Sequence, residues 1–76
     1  MEIDEAKIDD AVLALLWLTL HDWNRCWKGF DWDALDRLHK MGLIENPASK
    51  AKSVVLTTEG LQRSKELFEA MFARHP

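Results

Sequence analysis

The stretch Leu35–Gly60, LDRLHKMGLIENPASKAKSVVLTTEG, decides the fold, because a helical pattern gives way to a strand pattern and back again inside it. Leu35 and Leu38 lie on one helical face, with Trp32, Ala34 and Met41 flanking it. Gly42 supplies a left-handed stop, and Leu43 stands where a hydrophobic contact back onto that helix is expected. Leu43 and Ile44 then open a short strand. Asn46-Pro47 marks a turn, "ASKAKS" is polar, and the β-branched run Ser53–Thr57 suits a second strand. The whole reads as a two-stranded hairpin with a loose tip. Thr57 or Thr58 caps a last helix running to about Arg74, with Leu61, Leu67, Phe68, Met71 and Phe72 as its apolar side. Gly60 near its start should weaken that helix slightly.

Working upstream, Asp31 is a good N-cap for the second helix, with Asp33 in its first turn. Before it, WNRCWKGF (residues 23–30) reads as a helix end, a short turn or a loop. The first helix should begin near Asp4 or Ile8 and end near Asp22, with acids crowding its first turns. It carries two apolar stripes: Ile8, Val12, Leu15, Leu16, Thr19 and Trp23, and on another side Leu13, Trp17 and Leu20. A helix apolar on two sides must be buried on two sides. The expectation is that one stripe packs inside the chain. Leu13, Trp17 and Leu20 would then join Phe68 and Phe72 of the last helix in a homodimer interface. The fold class is mainly α with a small β-hairpin, in the order helix, helix, hairpin, helix, and residues 1–76 form a single domain. A lone ribbon is marginal in water, so the helices must cover it.

Composition narrows the function classes. A chain of 76 residues buries only about 60% of its unfolded surface and usually needs a staple or a partner. Cys26 is alone, which excludes an internal disulfide and fits a reducing cytoplasm. His21, Cys26, His39 and His75 show no ligand-like spacing, so no structural metal is expected. The acidic start MEIDEAKIDD is unlike a signal peptide, and the apolar run Ala11–Leu20 is about half the roughly 20 residues of a membrane span. The expected location is cytoplasmic. Net charge is −3, made of −6 over residues 1–36 (nine acids, three bases) and +3 over residues 37–76 (seven bases, four acids). That balance does not indicate a strongly basic nucleic-acid binder.

Leu35, Leu38, Gly42, Leu43 and Ile44, followed by Leu56, Thr57 and Gly60, resemble the latter half of winged-helix regulators of the MarR and PadR kind. The resemblance implies a recognition helix, a β-hairpin wing and a C-terminal helix that often dimerises, so the single domain over residues 1–76 is expected to be winged-helix-like. The chain departs from those regulators in two ways. Only WNRCWKGF stands where a supporting helix belongs, and the would-be recognition helix opens with Asp31, Asp33 and Asp36, carboxylates that oppose phosphate. Over nearly its full length, on IDDAVLALLWLTLHD, WKGFDWDALDRLH and KAKSVVLT, the chain also resembles a family of small bacterial proteins with no assigned function.

The aromatic cluster Trp23, Trp27 and Trp32, with Arg25 and Lys28 among them, admits two readings. It is either a mini-core at the junction of two helices or an exposed patch, for recognition, since Trp and Arg are enriched at interface hot spots, or for base stacking, against which the neighbouring Asp22, Asp31 and Asp33 count. Arg37, Lys40, Lys50 and Lys52 are the candidates for contacting DNA phosphates; otherwise they are a solvated face. His21 and Cys26 are five residues apart and no glycine-rich oxyanion or phosphate loop is present, so no enzyme, cofactor or small-molecule substrate is expected. The sequence thus points first to a protein-interaction module and second to a dimeric DNA-binding regulator.

Overall fold

A side-chain cap opens each α-helix in the computed structural model, which describes residues 1–74. Asp4 accepts from the Lys7 amide (3.1 Å) ahead of α1, Glu5–Leu16. Asp31 accepts from the Ala34 amide (3.1 Å) ahead of α2, Trp32–Lys40. Thr57 accepts from the Gly60 amide (3.0 Å) ahead of α3, Thr58–Phe72. Each cap satisfies an otherwise orphaned donor and contributes about 1 kcal/mol. Gly42 ends α2 at φ +76°, as its position predicts, and the Leu43 amide returns to the Leu38 carbonyl at 3.0 Å.

The expected order of helix, helix, hairpin, helix holds. The hairpin arms Leu43–Glu45 and Val55–Thr57 meet through an Ile44↔Leu56 bridge, with Glu45 N–H donating to Val55 O (2.8 Å) and Thr57 N–H to Leu43 O (3.1 Å). The segment expected to be a helix end, turn or loop adds a further strand. Arg25–Trp27 (β1) pairs antiparallel with Ser53–Val55 (β2), with Cys26 opposite Val54. The second hairpin arm is therefore bonded on both edges. Its even residues face β1 (Leu56 N–H to Asn24 O, 2.7 Å), and its odd residues face Leu43–Glu45. Alternation sends Cys26, Ile44, Val54 and Leu56 inward to under 4% exposure.

α1 stops at Leu16, earlier than its apolar pattern suggests, and continues as a single 3₁₀ turn, Trp17–Thr19. Thr19 Oγ1 takes the Trp27 amide (2.9 Å), and His21 and Arg25 exchange backbone bonds of 2.7 and 2.9 Å, so the chain folds back to feed β1. The tighter winding changes the helical phase. Leu20, beyond that turn, thus loses helical register with Leu13 and Trp17. Leu13 is 0% exposed within the chain's own core, which corrects its assignment to a dimer interface, and Leu20 packs against that same core. Val12, Leu16, Ala34, Leu35, Leu38 and Leu43 complete the buried set. The apolar side chains left outside include Leu18 (65%), Met71 and Phe72. Ser64 has no exposed surface and donates to Leu13 O at 2.7 Å, tying α3 to α1.

Burial pushes the Cys26 thiol up to about 11. The folded state then holds this proton more tightly than the unfolded chain does. The thiol adds no pH dependence below the ordinary thiol range, and stability falls as pH rises from about 9 toward 11. Native protein at pH 8 is expected to resist an aromatic disulfide reagent and to react fully after addition of denaturant. Rapid labelling of native protein would contradict the burial.

Candidate functional site

The core closes without three of the tryptophans. Trp23 is 93% exposed, Trp27 51% and Trp32 62%. Of the two readings, the mini-core is excluded for these rings. Their outward placement follows from local geometry. Trp27 lies on the outer face of β1, beside Arg25 and opposite Cys26 in the alternation. Trp32 is the first residue of α2, flanking the Leu35–Leu38 face at the open end of the helix, and stays exposed there. Trp23 sits in the turn between His21 and Arg25, where Asp22 (φ 46°) and Trp23 (φ 73°) are both left-handed. Asp tolerates that conformation, whereas a bulky side chain in it costs on the order of 1–3 kcal/mol. The strained turn holds the Trp23 indole in solvent.

Trp27 and Trp32 flank a groove of about 510 Å³ between the end of β1 and the hairpin tip, completed by Lys28, Gly29, Lys50 and Lys52. Trp27 is steadied by His21, which does not line the groove, ring centroids 4.7 Å apart and planes inclined at 30°. His21 in turn bonds from Nδ1 to Thr19 O (2.8 Å) near the end of the first helix. Trp23 lines no part of the groove.

Lys28 is the residue whose role the sequence conceals. Its Nζ donates to Pro47 O (2.7 Å), Ser49 O (2.8 Å) and Ser49 Oγ (3.2 Å), and stands 5.7 Å from the Trp32 ring centroid. It is a fastener for the hairpin tip rather than a free rim charge. Lys28→Met is expected to cost about 1–2 kcal/mol and to release the amides of the tip loop to fast hydrogen exchange. Lys50→Met should leave both unchanged, because Lys50 is exposed. Unchanged exchange around Ser49 in Lys28→Met would contradict the fastener.

The candidate DNA contacts divide. Arg37 is taken up internally: Nε donates to Asp9 Oδ1 (3.0 Å) and Oδ2 (2.8 Å), Nη2 to Asp9 Oδ1 (2.8 Å), and Nη1 to Glu5 Oε2 (2.7 Å). Asp9 is 4% exposed, so this fork is what satisfies a buried carboxylate. Its hydrogen bonds keep the guanidinium still more firmly protonated than usual. Arg37 is thus a tie between α1 and α2, its charge shared with two carboxylates. Lys40 pairs with Asp36 one helical turn away at 3.0 Å. Lys50 and Lys52 are exposed and have no carboxylate within ion-pair distance among the described residues. Arg25 is exposed on the outer sheet face and reaches Ser53 Oγ at 3.3 Å.

Phe68 is half-buried and its ring lies 5.6 Å from that of Phe72, which is 46% exposed; Trp17 is half-buried. No group of three or more His, Cys, Asp or Glu residues is arranged to hold a metal among the described residues, and His75 falls outside them. No described helix is long and apolar enough to cross a membrane.

Residues 4–74 match the family model described as "Domain of unknown function (DUF6429)". The chain is 68% identical over 74 residues to "Uncharacterized protein y4hR" of Sinorhizobium fredii (strain NBRC 101917 / NGR234), an alignment covering 97% of this chain and all of that protein. No solved structure matches.

Proposed function

We propose that this chain, which belongs to the DUF6429 family of small bacterial proteins, is a non-enzymatic protein-interaction module of the adaptor or inhibitor type. Trp23, Arg25, Trp27 and Trp32 form its contact surface, and Lys28 holds the loop beside them. The observation that carries the reading is the exposure of three indoles in one short segment, while the core is completed without them. Single exposed apolar residues are ordinary on a protein surface. Three large, stiff rings in one segment, one of them on a strained turn, match the composition of interface hot spots.

A duplex-DNA reader is the weaker reading. Two of its four candidate cations are already paired with carboxylates, and Asp31 at the cap and Asp33 and Asp36 on α2 stand exposed. The decisive comparison uses the folded chain and a Trp23→Ala/Trp27→Ala/Trp32→Ala variant, each immobilised and exposed to extract of the native host with and without nuclease treatment. A protein retained by the first and lost by the second supports the module. Retention that vanishes with nuclease, together with affinity for random duplex DNA that falls steeply with salt, would favour the DNA reader.

The proposal also includes self-association through the first and last helices. Leu13 is withdrawn from that face, which Trp17, Leu18, Phe68, Met71 and Phe72 now supply. Sedimentation velocity at micromolar concentration should find a dimer that Leu18→Glu/Phe72→Glu converts to a folded monomer. A wild-type monomer would remove it.

A further inference from the structure

We infer that the groove between Trp27 and Trp32 takes a short acidic peptide segment of the partner, with an apolar side chain seated between the two indoles. The inference rests on the protein-interaction reading and narrows it to one subsite and one ligand chemistry. The charge of the lining carries it. Lys28, Lys50 and Lys52 contribute three cations to the groove and no acid lines it, on a chain whose net charge is −3. Elsewhere Arg37, Lys40 and Arg63 each face a carboxylate. The oxygens around the Lys28 ammonium belong to neutral carbonyls and a hydroxyl, so they fix its position without cancelling its charge. Preorganised positive charge beside two stiff aromatic walls favours a carboxylate next to an apolar group.

The floor of the groove is open. Gly29 is part of the lining and a Cβ built on it meets no atom within 4 Å, so a larger side chain at this position can be introduced beside the groove without a clash in the fold. Length argues for a peptide over a nucleic acid. A polyanion that tracks beyond the groove needs a continued run of cations. Here it meets Asp31 and Asp33, exposed on either side of Trp32. A short acidic segment ends before them.

The test titrates the full chain by calorimetry with three probes at low and moderate salt. They are a capped hexapeptide of sequence Glu-Asp-Leu-Asp-Leu-Glu, the same peptide with lysine at every acidic position, and a twelve-residue oligothymidylate. The acidic peptide is expected to bind, more weakly as salt rises, and the basic one not at all. Lys50→Glu/Lys52→Glu should weaken binding about tenfold. Gly29→Gln should abolish it with an unchanged melting temperature, and Lys65→Ala, at an exposed position of α3 outside the groove, should leave it intact. Absence of acidic-peptide binding at low salt, indifference to Gly29→Gln, or tighter binding of the oligonucleotide would each overturn the inference. Should the peptide fail while a host protein is still lost with the triple tryptophan variant, the groove assignment falls and the interaction module stands. Should both fail, the module falls too.

Discussion

Gly60→Ala is expected to destabilise the fold by at least about 3 kcal/mol, although alanine is the better helix former by about 1 kcal/mol. A Cβ at Gly60 would lie 1.7 Å from the Leu43 carbonyl oxygen, 2.7 Å from its carbon and 3.1 Å from its Cα. All three are backbone atoms, so no rotamer change relieves the overlap. Nor is the Leu43 peptide free to retreat. Its carbonyl accepts from the Thr57 amide (3.1 Å), its amide donates to Leu38 O (3.0 Å), and Thr57 Oγ1 donates to Gly42 O (2.7 Å). Moving α3 away breaks the joint between the end of α2, the hairpin and the α3 cap. Urea unfolding followed by circular dichroism should show the loss. Gly29→Ala serves as the control and should change stability by less than about 0.5 kcal/mol. A Gly60→Ala protein as stable as the wild type would mean that α3 does not rest on Leu43. The slight weakening expected of a glycine near a helix start is therefore the minor part of its role; its main contribution is the close approach it permits.

Leu13→Ala is the second large effect, at about 2–5 kcal/mol. Leu13 is fully buried among the side chains of its own chain, and its carbonyl holds the Ser64 hydroxyl. A domain of this size has little stability to lose, and each kcal/mol lowers the melting temperature by about 4–8 °C. Because the cavity opens inside one chain, the loss should be the same at every protein concentration. Thermal melts of wild type and variant across a hundredfold dilution series check this. A variant that melts like the wild type and differs only in sedimentation would return Leu13 to a subunit interface.

Features that depend on local chemistry were legible in the sequence. Asp31, Gly42 and Thr57 act where their residue types predict, because a cap or a left-handed stop is decided within a few residues. The hairpin arms and the burial of Leu35 and Leu38 follow equally from alternation and helical spacing. What the sequence concealed depends on residues brought together from far along the chain. Arg37 reads as a free cation until α1 places Asp9 and Glu5 against it. Lys28 reads as a rim charge until the hairpin tip folds back over it. The burial of Leu13 was hidden for the same reason: it lies in the regular part of α1, on the side that α3 covers, where Ser64 from 51 residues further on donates to its carbonyl, while the 3₁₀ turn after Leu16 displaces only Leu20 from the stripe. A signal for β1 was present in Asp22 and Asn24, turn-forming residues that bracket Trp23 ahead of an alternating Arg-Cys-Trp. The two readings of the tryptophans could be separated only once β1 had been paired, since that pairing decides which way Trp27 points.

The central claim is that the indoles of Trp23, Trp27 and Trp32 face solvent on a core built without them. Fluorescence of variants that keep one tryptophan and carry phenylalanine at the other three measures this residue by residue. Trp23, Trp27 and Trp32 should each emit at long wavelength and be quenched readily by acrylamide, Trp23 most of all, while half-buried Trp17 should emit further to the blue and resist quenching. Blue-shifted, quencher-resistant emission from Trp23, Trp27 and Trp32 in a dilute, folded monomer would place them in the core and contradict the account.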